Sequence, residues 1–144
     1  MKLFDPAYIK MNVMGIPIIG GYAPGSFVEV RQSAADFIKI MGVDGQGTRI
    51  RTEDTSGQII FHLMHTSDAN AALSVIRQGD VYSPNGQAGG PTQILDLNGQ
   101  SFFFAGRSWL QKPPDAEFGR AAGERTWIVE TDDLQQQTTG TNYV

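Results

Sequence analysis

Two histidines, His62 and His65, are the only side chains of this 144-residue sequence whose ordinary pKa lies near neutrality, and no cysteine accompanies them. Nucleophilic catalysis needs a Ser, Thr or Cys beside a base, so such a site would have to be built around one of these two rings. They stand three residues apart in Gln58-Ile59-Ile60-Phe61-His62-Leu63-Met64-His65, a run that reads as a strand. On a strand that spacing sends them to opposite faces, so they cannot chelate one metal as a pair. Structural histidines in or near a core are the expectation.

The other chemical candidates resolve in the same direction. Gly42-Val43-Asp44-Gly45-Gln46-Gly47 has the glycine content of a phosphate loop, but no helix opening on Lys-Ser or Lys-Thr follows it, so the glycines read as turn residues supplying positive φ. Asp44, Glu53 and Asp54 lack the regular spacing and terminal glutamate of a twelve-residue calcium loop and read as solvated acids, as does Asp132-Asp133. Phe102-Phe103-Phe104 with Trp109 and Trp127 has the makings of a stacking platform, yet the basic residues that accompany nucleic-acid stacking are sparse. Consecutive Phe residues on a strand cover both faces, which suits a β core or an intersubunit contact.

The elements that must position these residues are mostly strands. Seventeen glycines and 7 prolines punctuate apolar runs of the length expected in an antiparallel β protein. Strands are expected at Tyr8 to Val13, Ile16 to Ile19, Phe27 to Arg31, Phe37 to Met41, Arg49 to Thr52, Gln58 to His65, Thr92 to Leu97, Gln100 to Gly106 and Glu124 to Thr131. In Phe27 to Arg31 the valines Val28 and Val30 share the buried side, and Gln58 to His65 reads as a central strand covered on both sides. The spacing of Ala69, Ala72, Leu73 and Ile76 predicts one helix, capped by Thr66 or Ser67 and ended by Gly79. Tyr82 to Pro91 and Gln111 to Gly123 read as long loops, and the tail from Leu134 to Val144 shows no core-forming pattern.

Bulk composition sets the remaining bounds. A chain of this length buries roughly 70% of its unfolded surface and needs no staple, so one domain over residues 1–144 is expected. That domain would carry an N-terminal segment at 1–25 and a C-terminal tail at 135–144 that becomes ordered on assembly. The absence of cysteine fits a reducing cytosol. A net charge of −4 argues against a chain built to grip nucleic acid. Asp5 and Pro6 interrupt the N-terminus before a signal-peptide core can form, and no run approaches the about 18 apolar residues of a membrane span.

From Phe37 to Leu73 the order of features is specific: a short strand, Gly42-Val43-Asp44-Gly45-Gln46-Gly47-Thr48-Arg49, then Thr52-Glu53-Asp54-Thr55-Ser56-Gly57, a long strand, and Thr66-Ser67-Asp68-Ala69-Asn70 opening the helix. Lys112-Pro113-Pro114-Asp115, Phe118-Gly119 and Arg125-Thr126-Trp127-Ile128 follow in the second half. This order resembles the inner tail tube proteins of contractile-tailed bacteriophages, which are related to the tube proteins of type VI secretion systems. The likeness runs from about Phe27 to Leu134.

The resemblance implies a mainly β fold, with two packed antiparallel sheets forming a sandwich or barrel beside one flanking helix, and a virion structural protein rather than an enzyme. Hexameric rings of this chain would stack into the tail tube, with tail sheath, tape measure, baseplate and tail terminator proteins as partners. It would be made in the host cytoplasm and reside in the virion, without cofactor, metal or membrane, with DNA passing through the lumen unbound. Joining open sheet edges would close the ring. The extended segment carrying Gly42, Asp44, Gly45, Gly47, Arg49, Arg51, Glu53 and Asp54 is the candidate inter-ring contact. Glu29 and Glu130 are candidate lumen acids. Related folds also serve as tail terminators and baseplate parts. A monomeric β-barrel module with a ligand pocket between the aromatic cluster and the Tyr82 to Pro91 loop, and an enzyme with unrecognised catalytic carboxylates, stay open beside these readings.

Overall fold

The computed structural model describes residues 3–84, 89–120 and 123–140. The chain opens on a 3-10 turn at Pro6–Tyr8, started by Asp5, whose carboxylate accepts the Ala7 N–H at 2.9 Å. Strands β1 (Ile9–Val13) and β2 (Ile16–Ile18) form a tight hairpin in which Met14 and Gly15 both take positive φ, 51° and 89°. That two-residue turn matches the natural twist of the pair and needs glycine at its second position. There follow β3 (Val28–Gln32), β4 (Phe37–Met41), β5 (Gly47–Arg51), β6 (Gly57–Met64), the helix α1 (Ala69–Val81), β7 (Gly90–Asp96), β8 (Ser101–Leu110), β9 (Glu124–Thr131) and β10 (Leu134–Gln137).

All pairings are antiparallel. The main sheet runs β2-β1-β7-β8-β9-β6-β3, and β4-β5 form a separate two-stranded sheet. Strand β8 belongs to both halves. Its first part pairs with β10 at Phe102 to Ala105, and its last part pairs with β9 at Ser108 to Leu110. A bulge opposite Gly90 and Thr92 separates the two parts and turns the strand from one layer to the other. The ladder broken there is repaired by hydroxyls. Thr92 and Ser108 share a buried hydrogen bond of 2.8 Å, and Thr131 Oγ1 donates to the Arg107 carbonyl at 2.6 Å. The result is a sandwich of two antiparallel layers without full barrel closure, with the helix at its side.

The core lies between the layers. Val13, Ile94, Ala105 and Leu134 come from one side, and Ile59, Phe61, Leu63, Trp127 and Val129 from the other. Leu73 is the fully buried residue of α1, with Ala69 and Ile76 packed beside it, as the spacing predicts. The start of the helix differs from expectation. Asp68 occupies the cap position without a side-chain bond, and Asn70 ties down the first turn instead. The Asn70 Nδ2 donates to the carbonyls of Met64 at 3.0 Å and Ser67 at 3.1 Å. Its Oδ1 accepts the buried Trp127 indole N–H at 2.8 Å. Gly79 does not end the helix, which continues to Val81, because one interior glycine costs only about 1 kcal/mol of helix propensity.

Two further expectations are corrected. The segment after Thr131 contributes to the core: Leu134 is buried and packs over Gly57, and β10 completes one layer. Residues 141–144 of the expected tail lie outside the described residues. Strand β6 is central in the sheet, but its second face is covered only in part: Ile59, Phe61 and Leu63 enter the core, Ile60 on the other face is also buried, and Gln58, His62 and Met64 there keep partial exposure.

Candidate assembly surfaces

Strands β3 and β6 do not stop at the edge of the body. The Ser33 N–H donates to the Ser56 carbonyl at 3.0 Å and the Thr52 N–H to the Asp36 carbonyl at 2.8 Å, which carries the pairing outward into β4 and β5. Every residue of β4 and β5 is exposed. Their register pairs Phe37 with Arg51, Ile38 with Ile50, Lys39 with Arg49, Ile40 with Thr48 and Met41 with Gly47. Side chains alternate across a strand, so the hairpin has two unlike faces. One presents Ile38, Ile40 and Ile50. The other presents Lys39, Arg49 and Arg51 around Phe37 and Met41, with the Arg49 guanidinium 4.3 Å above the Phe37 ring.

The predicted inter-ring residues are all brought together here. Gly42, Asp44 and Gly45 form the tip, where the Gly42 N–H donates to the Gln46 carbonyl at 2.7 Å and Gly45 adopts φ 89°. Gly47, Arg49 and Arg51 lie on β5. Glu53 and Asp54 lie on the returning link, and Asp54 accepts from both the Ser56 hydroxyl, at 2.6 Å, and its N–H, at 2.9 Å. Those two bonds hold the Asp54 carboxyl below its ordinary pKa. The aliphatic Ile38, Ile40 and Ile50 face is new relative to the sequence reading. Its only signal is the run Phe-Ile-Lys-Ile-Met, whose apolar residues occupy both parities and therefore cannot all be covered by one core.

Glu29 and Glu130, the predicted lumen acids, share one face of the β3-β6-β9 layer, opposite the core. Register places Glu29 beside Ile60 and Glu130 beside Gln58. Glu130 accepts from the Gln58 amide at 2.7 Å and the Gln111 amide at 2.8 Å, while Glu29 pairs with Arg31 at 2.9 Å. His62 sits between Glu29 and Glu124, 3.8 Å from each, and contacts the Thr126 hydroxyl at 3.2 Å. Ile60 and Ile128 occupy the centre of this face. His65 follows the end of β6, and the two histidines meet no common partner among the described residues.

The aromatic residues do not assemble into a platform. Phe103 and Trp127 join the core, Phe102 and Phe104 stack at 6.2 Å on the opposite side of β8, and Trp109 stands apart, 40% exposed. Trp109 borders an open hollow of about 620 Å³ with Gly90, Arg107 and Asp132. Part of the Tyr82 to Pro91 loop, 85–88, lies outside the described residues. Among the described residues, no group of three or more His, Cys, Asp or Glu is arranged to hold a metal, and no helix is long and apolar enough to cross a membrane.

Sheet edges remain open. Among the described residues β3 pairs only with β6, and β10 only with β8. A side-chain contact from Gln136 Nε2 to Gln32 Oε1, at 3.2 Å, spans the gap between these edges beside a hollow of about 340 Å³ lined by Val28, Val30, Ile94 and Phe103. The third edge, β2, is short and carries Pro17, which removes a donor.

No protein-family model matches the chain. A curated relative, "Structural protein ORF10" of Pseudomonas phage KPP10, is 22% identical over 109 residues, which is 76% of this chain. The chain thereby spans 63% of that relative's length. Among solved structures, the tube-terminating cap of the anti-feeding prophage superposes with a TM-score of 0.60 at 8% identity, over 96% of this chain and 93% of the cap chain. A chain of the extended sheath–tube complex of the PVC extracellular contractile injection system gives 0.59 at 9% identity, covering 95% and 93% of the two chains. A chain of the sheath/tube terminator of the same system gives 0.58 at 11%, covering 96% and 99%. The fold of this chain is therefore shared with chains of a contractile-injection tube cap, a sheath–tube complex and a sheath/tube terminator, and the curated phage relative is described as a structural protein.

Proposed function

We propose that this chain is a structural protein of a contractile tail and that it acts at the end of the tail tube, as a terminator or cap. The observation that carries the proposal is the whole-chain likeness to a tube-terminating cap and to a sheath/tube terminator, over 96% of this chain in each case. The phage structural relative supports the virion setting. The inner tube subunit is the second reading, favoured by the likeness to a chain of the sheath–tube complex.

Both readings use the same physics. The open edges of β3 and β10 carry unpaired backbone groups, and pairing them with a neighbouring copy satisfies those groups and closes a ring. The β4–β5 hairpin then serves as the arm of a second, heterologous contact along the tail axis. A tube subunit has this contact on both ends of its ring and stacks without limit. A terminator makes it once, against the tube, and meets the sheath or the next component on its other side.

Negative-stain electron microscopy of the purified chain over a concentration series separates the cases. Single rings that do not stack, and that bind the ends of isolated tail tubes, are the expected result. Long stacks of uniform bore would move the chain to the tube wall. Monomers at every concentration that also fail to bind tube ends would refute both.

A further inference from the structure

The apolar side chains of the β4–β5 ribbon stand on both of its faces, and all of them are open to solvent. Ile38, Ile40 and Ile50 lie on one face and Phe37 and Met41 on the other, each between 40% and 55% exposed. A ribbon lying flat on a partner covers one face and leaves the other in water. That contact would bury either the three isoleucines or the Phe37 and Met41 pair, and the remaining large apolar groups would stay wet. A ribbon that enters a cleft buries both sets. The pairing that runs on from β3 and β6, through the Ser33–Ser56 and Asp36–Thr52 bonds, makes the ribbon a continuous extension of the body rather than a loose loop.

The two faces call for different walls. Ile38, Ile40 and Ile50 have only Thr48 beside them in the register and fit an apolar wall. On the opposite face Lys39, Arg49 and Arg51 surround Phe37 and Met41, and the Arg49 and Arg51 guanidinium groups lie 4.3 Å and 5.8 Å from the centre of the Phe37 ring. That arrangement fits a wall with an apolar centre and carboxylates around it. It suits a protein better than a nucleic acid. Arg49 already covers the Phe37 ring on which a base would stack, and Asp36, Asp44, Glu53 and Asp54 flank the ribbon at its base and tip.

We infer that the β4–β5 ribbon is a wedge that enters the cleft between two adjacent subunits of the last tube ring, its aliphatic face on one subunit and its cationic face on an acidic, apolar-centred wall of the next. The inference rests on the terminator reading above and adds the chemistry of the partner and the number of subunits that each arm engages.

One variant for each face tests it. Ile38→Ser with Ile50→Ser strips the aliphatic face, and Arg49→Glu with Arg51→Glu reverses the cationic one. Each should weaken the binding of the chain's rings to the ends of isolated tail tubes by about tenfold or more, read by co-sedimentation with the tubes. The difference between the arginine variant and the unaltered chain should shrink as salt is raised, and that of the isoleucine variant should persist. Both pairs lie on the exposed ribbon outside the core, and unchanged thermal unfolding checks that the fold is kept. The chain has no cysteine, so Lys39→Cys and Ile40→Cys can each carry a single photo-crosslinker. The two positions should mark separate, non-overlapping surfaces of the tube subunit in peptide mass spectrometry.

A loss of binding confined to one face, or crosslinks from both positions to the same tube surface, would overturn the wedge in favour of a ribbon lying flat. Capture of double-stranded DNA that the arginine variant loses while it still binds tube ends would overturn the protein wall for the cationic face. Unaltered rings that ignore tube ends, or that stack on one another, would refute the terminator reading and the wedge with it. Rings that bind tube ends equally well with either variant would refute the wedge alone.

Discussion

Replacing Asn70 by alanine should remove the join between the end of β6, the start of α1 and the centre of β9. The buried Trp127 indole, 1% exposed, loses its acceptor at 2.8 Å and cannot reach water. Leaving such a donor unsatisfied costs about 1–3 kcal/mol. The carbonyls of Met64 and Ser67 lose a donor as well, but the Met64 contact is solvent-accessible, so water replaces most of that loss. The expected total is about 2 kcal/mol, and with a urea dependence near 2 kcal/mol/M the unfolding midpoint falls by about 1 M. Far-ultraviolet circular dichroism in urea reads this directly. The indole term is isolated by repeating the substitution on a Trp127→Phe background, where the loss should shrink by about 1 kcal/mol. An equal loss in both backgrounds would show that the Asn70–Trp127 bond contributes nothing and that the stabilisation comes from helix initiation alone.

Leu134→Ala should cost about 2–4 kcal/mol and release β10, seen as faster amide exchange at Gln135 to Gln137 than in β8. Gly57→Val should be at least as damaging, because a Cβ there would lie 2.6 Å from the Arg31 carbonyl oxygen and run into Leu134; stability equal to the unaltered chain would show that the seam can open. Ser56→Ala should raise the Asp54 pKa toward its ordinary value, measured by NMR titration of the carboxyl carbon. Because that pKa is depressed in the folded chain, the link is favoured above the unfolded pKa and loses this support as pH falls through the folded one, a response Ser56→Ala should weaken.

Strand positions are legible in the sequence wherever one face is buried. Ile9, Met11 and Val13, or Ile59, Phe61 and Leu63, alternate with less buried residues and mark their own parity. The helix follows from Leu73 and its neighbours. Its cap does not, because Asn70 acts backwards onto carbonyls rather than forward onto N–H groups, a geometry that exists only once β6 and β9 stand beside it. Strand β10 escapes because a single leucine followed by three glutamines has no period; its order comes from backbone pairing with β8 and from the space that Gly57 leaves for Leu134. The hairpin residues are recognisable as an extended contact element. Their division into two unlike faces depends on the register of β4 against β5, which a five-residue tip does not fix in advance.

The run Phe37-Ile38-Lys39-Ile40-Met41 also bears on the life of the subunit before it finds its place. It is a proline-free strand of high β-propensity displayed on an uncovered ribbon, the profile of a segment prone to uncontrolled fibrillar association. Its one charge, Lys39, interrupts that profile as a gatekeeper. A chain synthesised in excess of its assembly sites is therefore kept soluble during the wait by Lys39 together with Arg49 and Arg51 across the ribbon, and a variant that neutralises Lys39 should trade soluble yield for aggregate even where its folding is unchanged.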